Sequence, residues 1–260
     1  MDVLVGHTGL VGGTLLAQRP FDLLVHRPNL HALDGLRARR LVLSALPAEK
    51  WRINQDPAAD LANMRRLQDA LANVQAEQVV LVSTVDVYAN PVDVDEDSPP
   101  GRATPYGAHR HAFEDWVRGR FARVLTIRLP GLFGTGLKKN ALFDLLHGNE
   151  VGKLNPNAAL QWYPLARLAD DIDTALANGL ALVNASVAPI TTGAIAARLF
   201  PGHALVDPGT PPVLYRMRSR HAQAFGGQAD GEGFWLDEAR LWPWLEAWVA
   251  AERAGARASP

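Results

Sequence analysis

Tyr106 and Arg110 stand four residues apart in the stretch TPYGAHRHAFEDW, residues 104–116. On a helix that spacing puts both side chains on one face. A phenol can pass a proton to or from a reacting oxygen, and a cation beside it favours the phenolate. The pair reads as an acid/base couple or as two neighbours on a half-buried helix, and its spacing alone does not separate the two. A second constellation lies at the other end of the chain. Gly6, Gly9 and Gly12 form G-x-x-G-x-x-G within VGHTGLVGG, residues 5–13. The first glycine permits a tight turn, the second lets backbone approach a pyrophosphate, and the third lets helix and strand pack closely. Backbone N–H groups at the start of the following helix then hold phosphate charge. The competing reading is a glycine-rich turn without a ligand. His7, inside the loop, is given no role.

These residues need elements to position them. Asp2 to Val5 is a short apolar strand ahead of the loop, and TLLAQR continues as a helix. FDLLV (21–25) and Leu41 to Leu46 read as the second and third strands. Leu61, Met64, Leu67, Leu71 and Val74 recur at three- and four-residue spacing, which predicts a helix started by Asp56 and Pro57. Gln78 to Thr84 is a continuous β-branched apolar run, as expected of a strand covered on both faces. A polar loop over 89–104, the Tyr106 helix and a strand over Arg123 to Leu129 follow. Strands alternating with helices imply a parallel sheet built from right-handed crossovers. The expected class is therefore α/β, a doubly wound parallel sheet of Rossmann type. The dinucleotide-binding domain is expected over 1–130 and a looser region over 131–260, some of whose elements return to the sheet. In that region ALFDLLHG and LARLADDIDTALANG read as short helices and LALVNAS as a late strand. Thr191 or Thr192 would cap the helix GAIAARLF. The tail DEARLWPWLEAWVAAERAG reads as an amphipathic helix with Pro243 near its start. Trp235, Trp242, Trp244 and Trp248 read as packing residues.

Composition narrows the partners. Lys plus Arg number 26 against 27 Asp plus Glu, so no charge excess points to nucleic acid or a membrane surface. With no cysteine, disulfides, thiolate metal sites and a cysteine nucleophile are excluded. No metal site is expected. The N-terminal residues carry no basic run, and no apolar run is long enough to span a bilayer. A cytoplasmic protein is the expectation.

With the glycine loop and Y-x-x-x-R both in view, the chain resembles the extended short-chain dehydrogenase/reductase family, in its NAD-dependent epimerase/dehydratase branch. GHTGLVG matches the family's G-x-x-G-x-x-G, and STVDVY, Ser83 to Tyr88, matches its S-[ST]-x-x-V-Y segment. YGAHRHAFED is similar to its Y-x-x-x-K helix, and RLPGLFG, Arg128 to Gly134, to its R-x-x-x-[VL]-[YF]-G segment. The resemblance implies an NAD(P)-dependent oxidoreductase or epimerase acting on a secondary alcohol or ketone of a sugar or sugar-nucleotide derivative. It implies Thr84, Tyr106 and Arg110 as catalytic residues. Thr84 would hydrogen-bond the reacting oxygen, with Ser83 the competing assignment. Tyr106 would be the general acid/base. Arg110 would bind the nicotinamide ribose and lower the Tyr106 pKa. Gly6, Thr8, Gly9, Leu10, Val11, Gly12, Arg27, Ser44 and Ala45, together with Tyr106 and Arg110, would hold the cofactor.

The chain departs from the family at Arg110, where lysine is usual. Arginine supplies the charge but effectively never deprotonates, so a relay needing proton exchange there would fail. This keeps open an alternative: an inactive NAD(P)-binding sensor in which Tyr106 is vestigial. Gly131 stands where many sugar-nucleotide members carry asparagine. Lys138, Lys139 and Asn140 lie in the segment where the family builds its substrate wall, and Lys50 follows the third strand; with Gly131 these are the substrate-side candidates. After FDLLV the chain reads His26, Arg27, Pro28, Asn29, with no acid until Asp34. A carboxylate there would select a 2′-hydroxyl, whereas arginine accommodates a 2′-phosphate. NADP(H) is therefore preferred over NAD(H). Family members often pair two helices with a second subunit, which implies a homodimer through 60–74 and 108–121.

Overall fold

The computed structural model describes residues 1–101, 104–229 and 231–258. Arg102 and Ala103, in the loop expected over 89–104, lie outside the described residues. The chain divides into two units. The first holds residues 1–90, 96–129 and 166–184; the second holds 91–95, 130–165 and 185 onward.

The first unit is built on six parallel strands: β1 (Asp2–Val5), β2 (Leu23–Val25), β3 (Arg37–Leu43), β4 (Gln75–Thr84), β5 (Val124–Leu129) and β8 (Leu182–Asn184). Their order across the sheet is β2-β1-β3-β4-β5-β8. The helices are α1 (Leu10–Gln18), α2 (Lys50–Gln55), α3 (Pro57–Leu71), α4 (Pro105–Arg120) and α6 (Leu168–Ala177). Asp56 caps α3 by accepting the Ala59 N–H. Val3, Val5, Leu41, Leu43, Val79 and Leu81 share one core with Met64, Leu67 and Leu71 of α3 and Phe113 and Val117 of α4. Leu4, Val42 and Val80, one residue out of step and so facing the other way, are buried as well. Both faces are covered, which is why these strands read as unbroken apolar runs.

The third strand begins at Arg37 rather than Leu41 and ends at Leu43, so Ser44 to Leu46 leave the sheet. Arg37, Ala38 and Arg40 pair with Gln75, Ala76 and Gln78; the polar start of each strand hides the pairing from an apolar-run reading. Only a 3₁₀ turn, Arg27–Leu33, joins β2 to β3. The abbreviated crossover leaves β2 at the sheet's edge. The register places Val5 opposite both Val25 and Leu43. The residues that follow, Gly6, His26 and Ser44, therefore emerge together at the carboxyl end of the sheet, where open α/β folds bind ligands.

Helix α4 is fixed by buried charge. Glu114 is fully buried and accepts two bonds from Arg128 of β5, at 3.1 and 2.6 Å. It also accepts the Ser83 hydroxyl of β4 at 2.5 Å. A third Arg128 nitrogen donates to the Tyr88 hydroxyl, which bonds Asn184 of β8. One network thus ties α4 to three strands.

The second unit carries β6 (Gly131–Phe133), β7 (Ala159–Pro164) and β9 (Pro189–Thr191), with α5 (Ala141–His147), α7 (Thr192–Leu199) and α8 (Glu238–Ala258). β6 pairs in parallel with β7, and β7 antiparallel with β9. Thr191, not Thr192, caps α7, accepting the Ala194 N–H. Trp235, Trp242 and Trp248 are buried, but Trp244 faces solvent at 37% exposure because it falls on the outer side of α8.

Candidate active site

The glycine loop closes on itself. Gly6 has φ +96°, and a Cβ there would lie 2.2 Å from the Ser44 carbonyl oxygen. A Cβ at Gly12 would lie 2.1 Å from the Gly6 carbonyl oxygen. Both glycines are required by close backbone approach. Gly9 is different: it is the N-cap of α1, with space beside it, no side-chain cap and no acid in the helix's first turn. Leu10 and Val11 open α1 behind it. The helix start is left for a phosphate group to approach, which fits a dinucleotide.

A cleft beside the loop is lined by Gly6, Thr8, His26, Arg27, Ala45 and Arg66, with Leu30, Leu46, Pro47, Asn63 and Leu67 completing it. Sequence reasoning reached Gly6, Thr8, Arg27 and Ala45. It missed Arg66, which α3 presents one turn beyond Asn63; i, i+3 and i, i+4 spacing puts Asn63, Arg66 and Leu67 on one stripe. No carboxylate is among the lining residues. Asn29 does not line the cleft. Its side chain accepts the His26 N–H and donates to the Leu24 carbonyl, closing the turn after β2.

At the end of β4, Ser83 and Thr84 meet different residues of α4. Ser83 turns to Glu114, as above, while Thr84 turns toward Tyr106 and Asp86. The Thr84 hydroxyl donates to Asp86 Oδ2 at 3.2 Å and accepts the Asp86 N–H at 3.2 Å. The Thr84 hydroxyl also acts on that of Tyr106. Gly107 lets α4 come this close: a Cβ on it would meet the Asp86 carbonyl oxygen at 2.0 Å. Thr104 caps the helix by accepting the Gly107 N–H. Burial pushes the Tyr106 phenol up, and Asp86 adds to this, while Arg110, Thr84 and Lys50 act against it. The net direction is upward, so the phenol is held protonated.

Arg110 lies over the Tyr106 ring, its Cζ 4.6 Å from the centroid, as the four-residue spacing requires. Its guanidinium is engaged elsewhere. Two nitrogens bond the buried Asp60 carboxylate at 2.9 and 3.0 Å, and one also donates to the Pro47 carbonyl at 2.6 Å. His109 joins Asp60 through Nδ1 at 2.8 Å. Burial alone would raise the Asp60 pKa, but Arg110 and His109 outweigh it and hold the carboxyl below its usual range.

Lys50 and Asn54, on α2, also reach this corner. Lys50 Nζ lies 2.5 Å from Asp86 Oδ1, and Asn54 Oδ1 accepts the Tyr106 N–H at 3.1 Å. Asp86 and Asn54 carried no signal in the sequence reading.

The other substrate-side candidates belong to the second unit. A Cβ on Gly131 would lie 2.7 Å from the Gln161 carbonyl oxygen and 2.9 Å from the Trp162 ring, so asparagine has no room there. Lys138 and Lys139 are exposed. Asn140 caps α5 by accepting the Phe143 N–H, and its Nδ2 donates to the Leu132 carbonyl.

A family model described as the NAD dependent epimerase/dehydratase family matches residues 40–146. A search of the curated proteins found no match. Solved structures share the fold at low identity. The dTDP-4-dehydrorhamnose reductase of Yersinia enterocolitica superposes with a TM-score of 0.72 at 12% identity, covering 96% of this chain and 98% of that one. MoeE5 in complex with UDP-glucuronic acid and NAD gives 0.73 at 18% identity, covering 98% and 100%. RMD from Pseudomonas aeruginosa, complexed with NADPH, gives 0.72 at 19% identity, covering 96% and 98%. The resemblance is borne out over the matched residues, which include the Ser83–Tyr88, Tyr106–Arg110 and Arg128–Gly134 motifs, and the α/β class is borne out. Among the described residues no helix is long and apolar enough to cross a membrane.

The Asp60–Arg110 pair has a pH signature. A carboxyl held low in the folded state adds stability above the ordinary aspartate pKa of ~3.9 and loses it as pH falls toward the folded value. Asp60→Asn leaves Arg110 buried without a counter-charge, and should cost about 3–5 kcal/mol at neutral pH. Denaturant midpoints measured against pH should show the gap to wild type narrowing below about pH 4. A gap independent of pH would contradict the assignment.

Proposed function

We propose that this chain is an NAD(P)-dependent oxidoreductase or epimerase of the extended short-chain dehydrogenase/reductase type, acting on a secondary alcohol or ketone of a sugar-nucleotide derivative. One observation carries the reading: Thr84 and Tyr106 meet at the carboxyl edge of the same sheet that holds the glycine cradle. The similar structures named above include dTDP-4-dehydrorhamnose reductase and a protein in complex with UDP-glucuronic acid and NAD, which supports this substrate class. A bound nicotinamide would give or accept the hydride. The chain's own part is proton handling: Tyr106 gives its proton to the substrate oxygen in reduction, or takes it in oxidation, and the Thr84 hydroxyl holds that oxygen in place. A phenol kept protonated by burial is suited to the reductive direction. The reading as a non-enzymatic sensor has no observation of its own.

Tyr106→Phe keeps the ring and removes the transferable proton. Turnover of a carbonyl panel with NADPH or NADH should fall by roughly 10²–10⁴-fold while cofactor affinity survives. Undiminished turnover would reject the role.

NADP(H) is the preferred cofactor. Arg27 and Arg66 both line the cleft, no carboxylate joins them, and Asn29 is committed to its turn. A charge-assisted bond to a 2′-phosphate is worth about 1.5–3 kcal/mol, so Arg27→Ala should weaken NADPH by roughly 10- to 100-fold and NADH hardly at all. Fluorescence titration with both cofactors checks this, and tighter binding of NADH by the wild type would overturn it.

Exposed faces of α3 and α4 would pair with those of a second copy in a homodimer, in the cytoplasm. Light scattering at micromolar concentration should give twice the 28.2 kDa chain mass; a monomer mass would reject the pairing.

A further inference from the structure

Arg110, and to a lesser degree Lys50, oppose the upward shift of the Tyr106 phenol, and the two cations are held differently. Arg110 comes from Tyr106's own helix, but Asp60 matches its charge and Pro47 takes a further N–H. Its side chain is 6% exposed and cannot shed a proton. Lys50 comes from α2, and its side chain is 41% exposed. It lies four residues before Asn54, so the two share one face of that helix. That face meets Tyr106 and Asp86. Asn54 accepts the backbone N–H of Tyr106 at 3.1 Å. Lys50 pairs with one oxygen of Asp86, whose other oxygen accepts the Thr84 hydroxyl at 3.2 Å.

We propose that Lys50, held in place by Asp86, is a positioning residue for proton transfer: it supplies the adjustable positive charge that lets the Tyr106 proton leave, and through Asp86 it fixes the direction of the Thr84 hydroxyl. The inference rests on the reading of Tyr106 as the proton carrier. Asp86 disfavours the Tyr106 phenolate, so an unpaired Asp86 would lock the proton on. Lys50 offsets that charge. Lysine can also exchange protons with water, which the buried arginine cannot. The task that a family lysine would perform from the helix of Tyr106 is taken over from a neighbouring element.

Nuclear magnetic resonance of protein labelled at tyrosine Cζ tests this without a substrate. The sequence has four tyrosines, so the Tyr106 line is identified by its loss in Tyr106→Phe. With NADP⁺ present, Lys50→Met should move the Tyr106 titration upward by about one pH unit, the low end of a neighbouring charge's effect. Lys50→Gln should move it alike, and Lys50→Arg should leave it near wild type. A midpoint unmoved by Lys50→Met and Lys50→Gln overturns the inference. So does a wild-type Tyr106 that stays protonated until alkaline unfolding, or a Lys50→Arg variant that shifts as far as Lys50→Met. Undiminished turnover in Tyr106→Phe would instead remove the functional reading, so the two failures are told apart.

Discussion

Everything at the candidate site depends on how one face of α4 is held. Tyr106, Arg110 and Glu114 follow one another at four-residue steps. Two of the three are buried charges with partners from other elements: Arg110 with Asp60 of α3, Glu114 with Arg128 of β5 and Ser83 of β4. A buried ion pair contributes little net stability, because desolvation consumes the attraction, yet breaking one costs about 3–5 kcal/mol. That asymmetry makes such pairs register devices. Sliding α4 by one residue would leave Glu114 and Arg110 without their partners at once. The third position on the face, Tyr106, is therefore delivered to Thr84 by constraints one and two turns away.

The glycine cradle is a consequence of strand register in the same way. Val5, Val25 and Leu43 lie level across β1, β2 and β3. The chain must turn out of all three strands in a small space, and the Gly6 backbone ends up against Ser44. Glycine there is a packing requirement first. The phosphate-binding capacity of the α1 start follows because the close approach leaves no side chain over its N–H groups. The short 3₁₀ crossover after β2 adds to this, since it leaves the edge open and lets Arg27 and Arg66 line one cleft.

Local signals were legible and distant partners were not. The strands of the first unit, α3, α4 and the glycine loop could be read because apolar period and turn chemistry are written in neighbouring residues. Asn140 ahead of ALFD is a helix cap that its residue type announces. Asp60 is another matter. It stands fifty residues before Arg110 in sequence, and nothing local says that its carboxylate is buried. The α2 helix escaped because its six residues are too few to show a period, and with it went Asn54, Asp86 and the pairing of Lys50. The start of β3 was missed because its first residues are polar, paired at the end of the sheet where burial no longer dictates type.

Arginine at position 110, where the resembled family carries lysine, is best understood through the competition around the Tyr106 phenol. Burial opposes the phenolate and is the largest influence on it. Arg110, the cation on the next helical turn, is the largest influence offsetting burial, and at the same time it sits in a bidentate embrace with Asp60. Arginine suits this arrangement, because its planar fork matches a carboxylate with two parallel bonds where an ammonium would make one. On the proposed reading, the position that tunes the phenol in the family's pattern serves here as the strut that locks α4 to α3. On that reading, proton movement is served by groups that can still respond. Among those acting on Tyr106, Thr84 can reorient its hydroxyl, Asp86 can share its oxygens, and Lys50 alone combines a positive charge with contact to solvent. On the proposed reading, the loss of lysine from α4 and the docking of α2 on the same site are two sides of one rearrangement.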